Sequence, residues 1–220
     1  MKVVHNELFP TTVSVYTPDY NVTEEEIEFL KSIPVEKDYK GNVYLSFKTK
    51  TVLENIKLKN IKDVMFETAT RYAEDVLGIS NELAPLHSWV TKQEKGGQHE
   101  MHNHTNTLFN LVYYIEGSKN NTVWFKLGNG RTRLEEGFNF HYNRKTYTPM
   151  NSNSAILHPE DGQIICMPGW LFHGTDISIG PKLGIAQNFF IKGNVDGDKL
   201  DTKFKFQDIE IDTKINESNT

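Results

Sequence analysis

Cysteine is nearly absent from this chain: Cys166 stands alone among 220 residues, so no intramolecular disulfide can form. A single thiol suits a reducing compartment. No apolar run approaches the length of a membrane span. The opening MKVVHNELFP has no apolar stretch of signal-peptide length, so a cytoplasmic location is expected and no membrane partner. Charge of one sign is not gathered anywhere. Lys and Arg number 24, Asp and Glu 29, and they mix along the chain to a net charge of -5. That balance offers no basic surface to nucleic acid. Internal repeats and low-complexity segments are also missing. What remains, at 37% hydrophobic and 11% aromatic residues, is a soluble globular chain. Its length fits one sizeable domain better than two small ones.

The residue pattern divides into a helical N-terminal third and a β-rich remainder. TTVSVYT at 11–17 alternates and predicts a first strand. Thr23 to Glu26 reads as a capping box for a short helix through Ile27 and Leu30. NVYLSF at 42–47 predicts a strand, and Val52 to Leu77 the longest helix, with Gly78 as its C-cap. After Leu86 the period becomes two. Strands are expected at 87–92, 108–115, 122–127, 155–158, 163–167 and 184–191, separated by Gly, Asn and Pro turns. Short strands at this spacing point to a sandwich or barrel. The expected layout is one domain over 1–195 and a C-terminal extension over 196–220. The extension holds an edge strand at 203–211 and a frayed polar end.

Eight histidines are present, and His99, His102 and His104 fall within GGQHEMHNHTN. This stretch lies on a turn between two strands. His-x-His near a strand end sends two imidazoles to the same side, because strand side chains alternate. Neutral imidazole suits Fe, Zn, Ni and Cu. The distant partner is His173 in GQIICMPGWLFHGTD, where a buried strand runs into Pro168-Gly169 and the histidine follows. A facial metal site draws its ligands from distant strands in this way. The bland alternative is a solvated loop, and His5, His87, His141 and His158 are read as structural or surface residues. Along 182–188, Lys182, Gly184, Ala186 and Asn188 share one strand face. One cation, two very small residues and an amide make a poor core face and a good wall for a small dianion.

These residues resemble the 2-oxoglutarate/Fe(II)-dependent oxygenases. The similarity is closest to a branch of putative oxygenases common in phages and marine bacteria, akin to the aspartyl/asparaginyl and prolyl hydroxylases. Leu8-Phe9-Pro10-Thr11 matches its opening, Ser88 to His104 its "SWV…G..H..HNH" segment, and Val112-Tyr113-Tyr114 its "VYY" strand. Pro168 to His173 matches its distal histidine element, and Lys182 to Asn188 its closing "RISISFN" strand. The resemblance spans residues 8 to 190 and implies a double-stranded β-helix, a mainly β jelly roll of cupin-like form supported by the N-terminal helices. It implies Fe(II) as metal and 2-oxoglutarate as co-substrate. His102 would be the first ligand and His173 the distal one. Lys182 would anchor the far carboxylate of the co-substrate, and Tyr113 would face it. The family's usual Asp or Glu two residues after the first histidine is replaced by His104, so the third ligand is His104, a water, or nothing from the protein.

The activity so implied is hydroxylation of a C–H bond in a peptidyl or small-molecule substrate, with release of succinate and CO2. A phage-encoded chain would work in the host cytoplasm. Two other readings stay open. One is a cupin-type metalloenzyme with a three-histidine site and no 2-oxoglutarate. No acid follows His104 at the position where a cupin carries glutamate. The other is a non-catalytic binding module with a vestigial metal site.

Overall fold

Two of the first helix's free amides are satisfied by its own sequence. In the computed structural model the Thr23 hydroxyl accepts from Glu26 N at 3.2 Å, and the Thr23 backbone N–H donates to the Glu26 carboxylate at 2.9 Å. This reciprocal cap starts α1 (Glu24–Ser32). The structure describes residues 2–4, 10–38, 42–46, 48–128, 130–132 and 143–194, and the backbone of 205–206. The helix expected from Val52 is shorter than the pattern suggests. Val52–Glu54 and Ile56–Leu58 form 3₁₀ turns, and α2 runs over Lys59–Asp75. The break falls at Asn55, whose backbone is extended and whose side chain caps Lys57 N at 3.0 Å. Asparagine offers the backbone a local partner that competes with continuing the helix.

Among the described residues, ten strands build the two main sheets: β1 (Ser14–Tyr16), β2 (Glu36–Lys37), β3 (Val43–Leu45), β4 (Leu83–Gln93), β5 (Phe109–Glu116), β6 (Val123–Lys126), β7 (Ser154–Leu157), β8 (Ile164–Pro168), β9 (Phe172–Thr175) and β10 (Lys182–Ile191). A seven-stranded sheet has the order β1-β8-β5-β10-β4-β3-β2, and a three-stranded sheet the order β7-β6-β9. All strand pairs within these sheets are antiparallel. This is the jelly roll that the resemblance implied. Two strands of these sheets were not legible in the sequence, β2 and β9, and β9 carries His173. In the extension, β12 (Lys205–Phe206) pairs with β11 (Gly193–Asn194). The rest of the expected 203–211 strand, and the polar end, lie outside the described residues.

The large sheet has two differently used faces. On β5, Leu111, Tyr113 and Ile115 enter a core with Leu30, Met65 and Tyr72 of the helices. Tyr114 and the half-buried Val112 point the other way. They meet Val123, Phe125, Ile165, Met167 and Leu171 between the two sheets. A strand buried on both faces loses its polar alternation, which is why LVYYI reads as one apolar run. In the inter-sheet space β4, β5 and β10 offer side chains to a ligand without disturbing the helix-backed core. No helix among the described residues is long and apolar enough to cross a membrane.

Phe109 is a direct test of the helix–sheet interface. Its ring is fully buried, 5.2 Å from Tyr72 and 5.3 Å from Phe189 between centroids. Phe109→Ala should lower unfolding free energy by about 3–5 kcal/mol in urea titrations. A loss under about 1 kcal/mol, the ordinary size for a point substitution, would show that this face does not hold the fold together.

Candidate active site

The chain between β4 and β5 is drawn down onto β9 by backbone pairing. His102 N donates to His173 O at 2.9 Å and His173 N to His102 O at 2.8 Å, a closed antiparallel pair. Such a pair places both side chains on one side. Flanking bonds extend it. Thr175 N donates to His99 O at 2.9 Å, and His104 N donates to Gly169 O at 2.8 Å. The close approach requires Gly174, where a Cβ would stand 2.8 Å from His99 O. One ring nitrogen from each of His102, His104 and His173 then lies within 4.8 Å of the others. His173 therefore sits within a short strand of its own rather than at the end of the buried strand before it. The three histidines singled out in the sequence are brought together.

Hydrogen bonds decide which nitrogen faces inward. His102 Nδ1 meets Glu100 O at 2.7 Å, His173 Nδ1 meets Leu171 O at 3.0 Å, and His104 Nδ1 meets Asn188 Oδ1 at 2.7 Å. A carbonyl oxygen only accepts, so each Nδ1 carries the proton and each Nε2 keeps its lone pair. His104 Nε2 is buried and has no hydrogen-bond partner. Burial pushes His173 down to about 3 and His104 down to about 4, and His102 adds to both shifts. Both are thus neutral near pH 7, the form that donates to a metal. Lone pairs converging in a water-poor space repel one another unless a cation lies between them. This donor set fits a divalent transition metal such as iron, zinc or nickel.

Beside the histidines lies a narrow pocket lined by Trp89, Thr91 and Gln93 of β4, Val112 and Tyr114 of β5, and Lys182, Gly184 and Ala186 of β10. The strand face read from the sequence at Lys182, Gly184 and Ala186 does line it. Asn188 of the same face holds His104. The Lys182 ammonium is buried and donates to Asn121 Oδ1 at 2.9 Å, and it stands 4.8 Å from the Tyr114 ring centroid. It makes no ion pair among the described residues. Burial draws its pKa from 10.5 to about 8, against a smaller opposing pull from Asp161. A buried cation without a counter-ion is costly and marks a place for an anion.

One expected contact is corrected. Tyr113 does not face the pocket; it is fully buried in the helix-backed core, its hydroxyl 3.5 Å from Tyr20 O. Strand side chains alternate, so its neighbour Tyr114 takes the pocket side. His87 and His158 are exposed, and His5 and His141 lie outside the described residues. Sequence reasoning missed Gln93, Asn121 and Thr175. The usable signal was parity: Gln93 continues the Trp89–Thr91 face, and Thr175 shares the side of His173.

Residues 87–186 match the family model described as "Putative 2OG-Fe(II) oxygenase". No protein of curated function matches the chain. Among solved structures, the chain is similar to a 2OG-Fe(II) oxygenase family oxidoreductase from Burkholderia pseudomallei. The two are 13% identical with a TM-score of 0.55 over 80% of this chain and 83% of the other. It is also similar to HygX from Streptomyces hygroscopicus with nickel and 2-oxoglutarate bound, at 12% identity and a TM-score of 0.54 over 81% and 82%. A prolyl-4-hydroxylase from Pseudomonas putida gives 9% identity and a TM-score of 0.54 over 83% and 94%. At such identities the structural likeness establishes the shared jelly roll, and the family match bears on the chemistry. The jelly roll and the family match together point to the class of 2-oxoglutarate/Fe(II)-dependent oxygenases. Within that class, residues 87–186 are similar to the "Putative 2OG-Fe(II) oxygenase" family. The chain is an enzyme whose cofactor is Fe(II) and whose co-substrate is 2-oxoglutarate.

The proton placement can be checked directly. Nitrogen NMR of the metal-free protein near pH 7 should show His104 and His173 as the Nδ1–H tautomer. Asn188→Ala should release that preference in His104 alone. An Nε2–H tautomer for His104 in the parent protein would contradict the inward lone pair.

Proposed function

We propose that His102, His104 and His173 hold the Fe(II) and that Lys182 holds the distal carboxylate of 2-oxoglutarate. The observation that carries this reading is the convergence of inward Nε2 atoms beside a buried lysine that makes no ion pair among the described residues. Bound Fe(II) with 2-oxoglutarate and dioxygen supplies oxidative decarboxylation to succinate and CO2 with hydroxylation of a C–H bond. The protein supplies geometry, charge and dryness. Glu100 O, Leu171 O and Asn188 Oδ1 fix the imidazole planes, as partners behind metal ligands commonly do. Tyr114 shields the ammonium, and Val112, Val123 and Met167 exclude water from the pocket. Neutral His104 in place of a carboxylate leaves the metal's positive charge undiminished, which favours a dianionic co-substrate.

The substrate falls in one of two classes, a peptidyl residue or a small molecule. HygX has been captured with hygromycin B, and the Pseudomonas putida protein is a prolyl-4-hydroxylase. Those folds support either class. The net charge of -5 gives no support to a nucleic acid.

Metal content tests the ligands. His173→Ala should abolish stoichiometric Fe(II) binding at micromolar metal. His104→Ala should weaken it steeply, and His104→Asp should restore part of it. If H104A retains the parent's Fe(II) affinity and still couples 2-oxoglutarate decarboxylation, only His102 and His173 are ligands.

The anchor is tested separately. Lys182→Ala should leave metal content intact and weaken 2-oxoglutarate roughly ten- to a hundredfold, as expected for a hydrogen bond to a charged group. The carboxylate needs the protonated lysine, whose pKa in the empty pocket is about 8. Affinity in the parent should therefore fall as pH rises above about 8, and this dependence should vanish in K182A. An unchanged affinity in K182A would place the anchor elsewhere.

A further inference from the structure

The three convergent imidazoles are not held alike. His102 Nδ1 and His173 Nδ1 meet main-chain carbonyls, Glu100 O and Leu171 O, each two residues before its histidine. The backbone pairing of the two segments fixes those carbonyls. His104 Nδ1 meets a side chain instead, Asn188 Oδ1 at 2.7 Å, and that amide turns on rotatable bonds of its own. A hydrogen bond also tolerates about 30° of misalignment, whereas a metal ligand must be held to within about 10–20° of its productive direction. The Asn188 bond therefore fixes which nitrogen of His104 faces inward, but it leaves the plane of the ring loosely set. Stacking supplies the missing constraint. The Trp89 indole lies against the His104 imidazole with ring centroids 5.6 Å apart and planes 23° from parallel. The His173 ring stacks on His104 as well, at 5.1 Å and 17°. Both distances fall in the range of favourable aromatic pairs. Among the described residues, neither His102 nor His173 stacks on a ring outside the histidine cluster. Trp89 is itself fixed within the large sheet, opposite Ala186, and the alanine's methyl leaves room for the indole to lie over the imidazole.

We infer that Trp89 is a positioning residue for the metal ligand His104, its indole setting the imidazole plane so that the buried, unpartnered Nε2 points at the metal. This rests on the assignment of His104 as a ligand. Asn188 and Trp89 act on different degrees of freedom: the amide selects the tautomer, and the indole selects the plane. A neutral imidazole has a single usable lone pair, directed along one line in the ring plane. An ionised carboxylate offers two oxygens, either of which can ligate. A histidine at position 104 therefore needs a flat platform behind it, and an aspartate there would not.

Calorimetry with Ni(II) separates this role from a merely structural one. Nickel binds nitrogen sites more tightly than Fe(II), so weakened variants stay measurable. Trp89→Leu should lower Ni(II) affinity roughly ten- to a hundredfold, the range for partners that orient metal ligands. Trp89→Phe, which keeps a flat ring, should recover most of that loss. In the His104→Asp background, Trp89→Leu should change affinity by no more than about twofold, the usual error of additivity. If the leucine variant does not fold, Trp89→Met is read the same way. Parent-like affinity in W89L overturns the inference. An equal loss in the parent and in the aspartate background overturns it too, since a structural defect would act on both. His104→Ala distinguishes the underlying assignment. If H104A binds Ni(II) as tightly as the parent, His104 is not a ligand and the role of Trp89 falls with it. If H104A is weakened while W89L is not, the ligand stands and only the platform is wrong.

Discussion

The reciprocal backbone pair between His102 and His173 is the constraint on which the site depends. It joins a connection between two strands of the large sheet to a short strand of the small one. Two hydrogen bonds, at 2.9 and 2.8 Å, place two imidazoles side by side without any side-chain contribution. Everything nearby extends that pairing. The His99–Thr175 contacts lie on one side of it, and the bond from His104 N to Gly169 O lies on the other. Backbone bonds of this kind are insensitive to which side chains they carry. A histidine can therefore stand at position 104 without the loop having to change course.

The large sheet separates stability from chemistry by the alternation of its side chains. Leu183 and Ile185 pack beneath the helices, while Lys182, Gly184 and Ala186 of the same strand open onto the pocket. The helix-backed face gains from ordinary apolar burial. The pocket face bears groups that cost stability: a buried ammonium with no ion pair among the described residues, and imidazoles with inward lone pairs. Local departures from good packing of this sort belong at functional sites. They persist here because the opposite face of the same strands is fully packed.

Electrostatics within the pocket is ordered by donors that cannot reverse. Carbonyl oxygens at Glu100 and Leu171 fix the proton on the outer nitrogen of two histidines. The Lys182 ammonium does the same for the amides of Asn121 and Gln93. On the proposed assignment, the metal end thereby presents lone pairs and the anion end presents protons. A ligand carrying both a chelating group and a far carboxylate meets complementary groups at each end, with little rearrangement needed on binding.

Several features were legible in the residues alone. The Thr23–Glu26 cap, most strands after Leu86 and the Lys182–Asn188 face follow from local spacing, because capping and alternation are short-range effects. The three histidines stood out because their spacing implied chemistry. Local spacing could not place β9, a four-residue strand just after the Pro-Gly-Trp turn, whose strand character comes wholly from pairing with β6 and His102. It could not choose between Tyr113 and Tyr114 either. Both are apolar enough for either face of a doubly buried strand, and only the position of the helices decides which face is core. The break at Asn55 was hidden by an unbroken helical period on either side of it. The sequence by itself thus determined the residue types available for a metal and an anion and the parity of most strands. The tertiary structure alone decided which parity faces inward, and it joined Thr175 to Lys182 through Gln93 and Asn121. Those contacts link residues 28, 61 and 82 positions apart, and only the closing of one sheet over the other brings them within hydrogen-bond reach.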